Sequence, residues 1–134
     1  MNYWLIKSEP STYSIDELQK EKQTFWSGVR NYTARNNLRA MEKGDVCLFY
    51  HSVNNPAIVG VAKVVGEAYQ DPTTAETAWV AVDVEFKQKF KNPIPLAEVK
   101  KHPELAEMEL LRFSRLSVQK VTKEEFDYIM KIAK

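Results

Sequence analysis

The chain has 134 residues, 44% of them hydrophobic and 28% charged, a composition typical of one folded domain with a single core. Its 19 Lys and Arg against 18 Asp and Glu give a formal charge of +1, so any basic site must be local. No apolar run of roughly 18 residues and no signal peptide is recognisable, and we expect a cytosolic monomer without membrane contact. A single cysteine, Cys47, excludes internal disulfides, and two histidines are too few for structural zinc.

The first third of the chain predicts one strand and two short helices. The aromatic and β-branched run Tyr3–Ile6 favours a strand, which ends before the following proline. Ser14 and Glu17 have capping-box spacing and predict a short helix behind them. After a turn-like segment over 25–30, apolar side chains at helical spacing predict a second helix over 31–41.

The remainder predicts further strands and a C-terminal helix. The strand-like segments are Val46–Tyr50, Ala57–Val65, Trp79–Phe86 and Leu116–Gln119. The first two predict a hairpin, because the loop between them is rich in Asn and Pro. Pro93 and Pro95 predict a turn, followed by short helical segments over 96–101 and 104–111. Thr122 and Glu125 form a second capping box before a helix that buries Phe126, Ile129, Met130 and Ala133.

These elements indicate an α+β fold with a mostly antiparallel, curved sheet, because strands and helices do not alternate regularly. In the segment Trp79–Phe86, the residues Val80, Val82 and Val84 share one face, while Asp83 lies on the other with Trp79. The alternation is the same in an open sheet and in a small closed barrel, so the pattern alone leaves both open.

One segment stands out chemically. The stretch Trp26–Met41 contains three arginines and no acidic residue in an otherwise neutral chain. Amides at a helix N-terminus near Asn31, together with Arg35, would suit phosphates, and Trp26 and Tyr32 would offer flat faces to a base. The alternative is that both aromatic residues belong to the core and the arginines are solvated.

Three further places are weaker candidates. Tyr50, His51 and Ser52 lead from a strand into a polar loop, where side chains can line a pocket, although a lone histidine there is more often structural. The segment Arg112–Ser117 is basic and rich in hydroxyls, and with the first basic segment it would frame one groove or else form a surface turn. Asp83 would accept a hydrogen bond from a base edge or simply face solvent.

Several motifs together resemble the EVE domain family, and the resemblance covers essentially the whole chain in the expected order. The segments that carry it are Trp4–Pro10, Trp26–Arg39, Gly44–Asp45, Phe49–Ser52, Ile58–Gly60 and Arg115–Val118. The resemblance implies a PUA-like fold, a small mostly antiparallel β-barrel with flanking short helices, related to the YTH domain. Members of the family resemble non-enzymatic readers of modified bases in DNA or RNA that need no cofactor.

The resemblance also implies where the ligand would bind. By motif, the binding residues would come from the end of the first strand, from the tryptophan segment and from two later loops. They are Lys7, Ser8, Glu9, Trp26, Ser27, Gly28, Val29, Arg30, Asn31, Tyr32, Tyr50, His51, Ser52, Arg115 and Ser117. This chain has Ser27 where the family usually has Asp, Thr33 where it has Gln, and Phe113 where a polar residue is common.

Three functions follow as hypotheses. The first is a binding module for a modified, methylated or similarly substituted base in DNA or RNA, placed in the cytosol or nucleoid of a bacterium or the nucleus of a eukaryote. The second is a protein-interaction domain in which protein side chains fill the Trp26 pocket. The third is an enzyme acting on modified nucleotides, for which Glu9 and His51 are the only acid–base pair to nominate.

Overall fold

In the computed structural model, which describes residues 1–133, strands and short helices follow one another along the chain. The strands are β1 (Tyr3–Ser8), β2 (Gln23–Trp26), β3 (Val46–His51), β4 (Ala57–Val64), β5 (Tyr69–Gln70), β6 (Val80–Pro95) and β7 (Val118–Val121). The helices are α1 (Ile15–Glu21), α2 (Tyr32–Ala40), α3 (Leu96–Val99), α4 (Glu109–Arg112) and α5 (Lys123–Ile132), with a 3₁₀ turn at Pro103–Leu105. The predicted α+β class is confirmed.

All the strands join one sheet in the order β2-β6-β4-β3-β1-β7, with β5 added beside β6. Only β1 and β3 are parallel among the described pairs, so the sheet is mostly antiparallel as predicted. The register shifts within the β3–β4 and β4–β6 pairs, as it does where a β-bulge bends a strand. Within residues 1–133 no ladder joins β2 to β7, so the strand path stays open and does not close into a complete barrel.

Both faces of the sheet are covered by helices. Alternation along β1 directs Trp4 and Ile6 to one face and Leu5 to the other. The first face packs against α1 and α2 through Leu18 and Leu38, and it includes the predicted valines of β6. The second packs against the C-terminal segments that include α3 and α5. Because both faces are buried, the residues free to bind a partner concentrate at strand ends and in loops.

Helices α1 and α5 begin at the predicted capping boxes, and α2 begins after a cap at Asn31. Ser14 and Glu17 form the reciprocal bonds of a capping box at α1, and Thr122 and Glu125 do the same at α5. Asn31 caps α2 by accepting a hydrogen bond from the Ala34 amide at 2.9 Å. Local sequence therefore determines where these three helices begin.

Several boundaries differ from the prediction, and β5 was not predicted. Phe25 and Trp26 belong to β2 and not to a turn, because they pair with Asp83 and Val82 of β6. The predicted turn at Pro93 and Pro95 is wrong, since β6 continues to Pro95. The last strand begins two residues later than predicted, at Val118.

Buried polar groups near β3 are satisfied or inert. Asp45 accepts hydrogen bonds from the Trp4 indole at 3.0 Å and from the amides of Asn2 and Glu42. Cys47 is fully buried in the core, and burial raises the pKa of its thiol far above the ordinary value. In the part of the chain that the structure describes, no helix is long and apolar enough to cross a membrane, and no three His, Cys, Asp or Glu residues are grouped as metal ligands.

Candidate nucleic-acid interface

A cavity of about 590 Å³ opens where the ends of β1 and β2 meet the segment that leads into α2. Nine residues of the predicted site line it, together with four that the sequence did not single out. The predicted ones are Lys7, Ser8, Trp26, Ser27, Gly28, Val29, Arg30, Asn31 and Ser117. The others are Thr12, Tyr13, Thr24 and Phe25. This volume lies within the roughly 300–1,000 Å³ of typical small-molecule sites.

Trp26 belongs both to the wall of this cavity and to the core. Pairing of β2 with β6 places it opposite Val82, and its exposed fraction is only 8%. Its ring meets Phe49 edge-on at 5.4 Å between centroids and Tyr13 at 6.2 Å. Such T-shaped packing fixes the plane of the indole, so the wall is formed before any ligand arrives.

The loop after Trp26 is held by a buried carboxylate. Gly28 has a φ of +79°, which favours glycine, and its amide donates to Asp71 Oδ2 at 2.8 Å. The same oxygen accepts from Arg30 at 3.0 Å, while Thr73 donates its amide and hydroxyl to Oδ1. Burial would raise the pKa of Asp71, but the bonds from Thr73, the Gly28 amide and Arg30 outweigh it and hold that pKa far below its usual range.

Arg30 forms a cationic edge of the cavity. Its guanidinium pairs with Asp71, donates to Thr73 Oγ1 at 3.3 Å and lies 5.6 Å from the centre of the Trp79 ring. Its side chain is still 40% exposed. Because guanidinium has five N–H donors, part of it remains directed at solvent, where an anion can bind.

The Lys7 ammonium already makes contacts within the protein, which the sequence did not predict. Its ammonium donates to the Ser114 carbonyl at 2.8 Å and lies 5.6 Å from the Tyr50 ring centre. Burial lowers the pKa of Lys7. The Lys7 amide also donates to the Ser117 carbonyl at 3.0 Å, which fixes both residues at the cavity. Lys7 therefore connects the end of β1 to the segment before β7.

Tyr32 and Arg35 lie outside this cavity on the first turns of α2. Tyr32 is 61% exposed and packs against Trp79 with centroids 4.9 Å apart. The Arg35 guanidinium lies 4.9 Å from the Tyr32 ring centre and donates to the Ala78 carbonyl at 2.9 Å. This stack joins α2 to the loop before β6.

The remaining predicted residues do not line the cavity either. His51 Nε2 accepts from the Ile15 amide at 3.1 Å, a structural role at the start of α1. Tyr50 is buried on the opposite face of the sheet, and the Ser52 amide donates to the Ser8 carbonyl. Exposed Glu9 accepts two turn amides at its carbonyl, and Asp83 accepts from the Tyr69 hydroxyl at 2.6 Å.

Arg115 lines a second opening of about 570 Å³, which we call the flanking groove. It lies between the start of α2 and the segment from α4 to β7, and it shares Asn31 with the Trp26 cavity. Its lining residues are Asn31, Thr33, Asn37, Glu109, Phe113, Ser114, Arg115, Leu116 and Lys120. The fold thus brings the two predicted basic segments to adjacent openings.

The most important residue that sequence reasoning missed is Asp71. Its partners Gly28 and Arg30 lie 43 and 41 residues earlier, and only an Asp-Pro turn signal marks the position locally. Tyr13 also lines the cavity and was not singled out. It could have been predicted, because an isolated aromatic residue beside the start of a helix is a candidate for a pocket wall.

This arrangement suits a flat, polar-edged ligand attached to an anion. Trp26 supplies an aromatic wall, Ser27 and Asn31 supply short donors and acceptors, and Arg30 supplies positive charge at the opening. Together with the mixed, mostly antiparallel sheet flanked by short helices, this defines a small PUA-like α+β domain with an aromatic cavity bordered by cations.

The chain belongs to the EVE domain family, which it matches over residues 2–132. It is 42% identical to thymocyte nuclear protein 1 of Mus musculus over an alignment that covers 98% of this chain and 73% of the mouse protein. The family resemblance found in the sequence is confirmed.

Solved structures show the same fold. The crystal structure of the human THYN1 protein in complex with 5-methylcytosine containing DNA has a TM-score of 0.93 and 38% identity, covering 100% of this chain and 98% of that one. An NMR structure of a Rhodopseudomonas palustris protein has a TM-score of 0.94 and 44% identity, covering 99% and 93%. The YTH domain of Zygosaccharomyces rouxii MRB1, in complex with N6-methyladenosine RNA, is 15% identical with a TM-score of 0.62 and shares the fold.

Proposed function

We propose that this chain is a non-enzymatic module that binds a modified base of a nucleic acid in the Trp26 cavity. The observation that carries the proposal is an open cavity walled by a fixed indole, with Arg30 at its edge. Support comes from the human relative, which was crystallised with 5-methylcytosine containing DNA. We further propose that the chain acts where its nucleic acid is, in the cytosol or nucleoid of a bacterium or the nucleus of a eukaryote.

The free energies of base stacking and methyl burial limit how strongly such a site can prefer a modified base over the unmodified one. Taking a base out of a stack costs a few kcal/mol, which stacking on an aromatic wall offsets by about 1–3 kcal/mol per base. Burying one methyl group adds about 0.8 kcal/mol, or roughly fourfold in affinity. Greater selectivity requires that the unmodified base leaves a void or an unpaired polar group in the cavity.

Two observations favour binding over the alternative functions. His51 Nε2 already accepts the Ile15 amide, so one of the two ring nitrogens of the nominated partner of Glu9 is occupied by the backbone. The Trp26 cavity is open, whereas an interaction domain with a relict pocket was expected to have protein side chains in it. A turnover assay on modified nucleosides tests the enzyme hypothesis, and we expect no product.

The deciding experiment is a binding panel. Single-stranded oligonucleotides of one sequence, carrying cytosine, 5-methylcytosine or 5-hydroxymethylcytosine at the centre, are titrated against the protein, with a parallel panel of RNA and of methylated adenine. We expect tighter binding of at least one modified form than of its unmodified counterpart. Equal affinity throughout the panel would contradict the proposal.

A further inference from the structure

Hydrogen bonds of buried side chains hold the walls of the flanking groove. Gln119 is fully buried, and its side-chain amide donates to the carbonyls of Phe113 and Leu116, each at 3.0 Å. Asn37, 5% exposed, donates to the Val118 carbonyl at 2.7 Å. These bonds hold the two walls, α2 and the segment before β7, in fixed positions, so a ligand would not have to order them.

The groove combines an aromatic surface with positive charge. The Phe113 side chain is 48% exposed, and the Arg112 guanidinium lies 5.1 Å from its ring centre. Arg115 and Lys120 are exposed cations in the lining. Glu109 is the one carboxylate in that lining, and one of its oxygens accepts the Lys120 amide at 3.0 Å.

Continuity with the Trp26 cavity indicates what the groove accepts. Asn31 lines both openings, so the two openings lie side by side, next to that residue. A nucleic-acid strand with one base in the Trp26 cavity necessarily carries a phosphate and a second base beside it. An exposed ring with neighbouring cations matches that pair of groups, because bases stack on aromatic side chains while Arg and Lys neutralise phosphate.

We propose that the flanking groove is a second subsite, which binds the nucleotide adjacent to the modified base by stacking that base on Phe113 and pairing its phosphate with Arg115. This proposal rests on the proposed function of the Trp26 cavity and adds that a single-stranded segment of at least two nucleotides is recognised. It also gives a role to Phe113, an aromatic side chain that is exposed in the lining of the groove.

The test pairs a change in the protein with a change in the ligand. One ligand is a single-stranded trinucleotide with central 5-methylcytosine between thymines, and the other has abasic sites in place of both thymines. For the unaltered chain we expect the abasic ligand to bind at least about fivefold more weakly, the loss of one stacked base. For Phe113→Ser the two ligands should bind equally, at the level of the weaker one.

A matched control is Tyr69→Ser, which removes an aromatic residue that is 41% exposed and bonded to Asp83 outside the groove. That variant should retain the full difference between the two ligands. Equal binding of both ligands by the unaltered chain would overturn the subsite, as would an equal loss for both ligands in Phe113→Ser. If the proposed function is itself wrong, the unaltered chain will bind the 5-methylcytosine trinucleotide no more tightly than its cytosine counterpart.

Discussion

At the scale of single residues, Trp26 links the core to the cavity. With 8% of it exposed and contacts to Phe49 and Tyr13, its removal affects stability as well as any ligand. Both interpretations offered by the sequence, a core residue and a cavity residue, therefore describe the same side chain. Mutations at this position are informative only when binding and stability are measured together.

We expect Trp26→Leu to weaken binding of a modified oligonucleotide by roughly 5- to 150-fold, because it removes one stacking face while keeping apolar volume. The free energy of unfolding should fall by less than about 3–5 kcal/mol, which is the cost of truncating a buried aromatic side chain to alanine. The control is Leu38→Ala, which loosens the same core from α2, at a position that does not line the cavity. Similar losses of affinity in both variants, measured below both melting temperatures, would assign the Trp26 effect to folding.

Ser27 lines the cavity at a position where the family resemblance implies an aspartate. A hydroxyl both donates and accepts, whereas an aspartate carboxylate only accepts, and serine leaves more room for a substituent. Ser27→Asp should therefore change the order of affinities for cytosine, 5-methylcytosine and 5-hydroxymethylcytosine oligonucleotides. If all three affinities fall by the same factor, Ser27 does not read the base.

At the scale of elements, the loop 27–30 depends on the loop that follows β5. Asp71 accepts the Gly28 amide and the Arg30 guanidinium while fully buried, so the cavity edge is fixed from a distant part of the sequence. Asp71→Asn should lower the free energy of unfolding by about 2 kcal/mol at pH 7 and weaken ligand binding, because it removes charge-assisted hydrogen bonds. Thermal unfolding and oligonucleotide titration measure both effects.

The pH dependence of stability gives an independent test of the role of the Asp71 charge. The pKa of Asp71 is lower in the folded chain than in the unfolded chain. Its contribution to the free energy of unfolding is therefore complete above the unfolded pKa of about 4 and is lost as the pH falls from there toward the folded pKa. The stability difference between the unaltered chain and Asp71→Asn should shrink below pH 4. A constant difference from pH 7 to pH 2.5 would show that the charge of Asp71 is not what stabilises the loop.

His51 connects β3 to α1 through its bond to the Ile15 amide. Burial lowers the pKa of His51; Asp16 opposes this shift and Lys89 adds to it. The folded chain then binds a proton less readily than the unfolded chain, so His51 makes stability fall as the pH drops from above about 6.5 toward the folded pKa. In a His102→Asn background, we expect the melting temperature to decrease between pH 7 and pH 5, and His51→Asn to remove most of that decrease. An unchanged pH slope would exclude His51 as its source.

Elements defined by neighbouring residues could be predicted, and those defined by distant partners could not. Ser14 with Glu17 and Thr122 with Glu125 form caps within four residues, and both helices were predicted. The prediction ended β6 at Phe86 and placed a turn at Pro93 and Pro95, because proline normally ends a strand. They are tolerated because β2 and β5 pair only with residues 80–85, so this part of β6 has a neighbour on one side only.

At the scale of the whole molecule, a formal charge of +1 is compatible with nucleic acid only if positive side chains are gathered locally. The fold does this by placing Arg30 and Arg115 at adjacent openings, although their segments are far apart in sequence. The sequence predicted both segments and one shared face. It could not predict that Arg35 would instead contact Tyr32 and the Ala78 carbonyl.

Salt dependence of binding measures how many of these cations touch phosphate. If Arg115 contacts one phosphate of a single strand, Arg115→Gln should reduce the slope of log affinity against log salt by about 0.7. The sequence predicted the same for Arg35, but its guanidinium is engaged with the protein, and we expect Arg35→Gln to change the slope less. No change of slope in Arg115→Gln would remove it from the phosphate contacts.

The inaccessible thiol of Cys47 makes the chain convenient for spectroscopy. It is the only cysteine, it has no exposed surface, and its thiolate form is strongly disfavoured, so it should not react with maleimide reagents while the protein is folded. A cysteine introduced at Ser114 would then be the single reactive position, on the wall of the flanking groove. A fluorophore attached there would report occupancy of the groove directly, without deletion of the native cysteine.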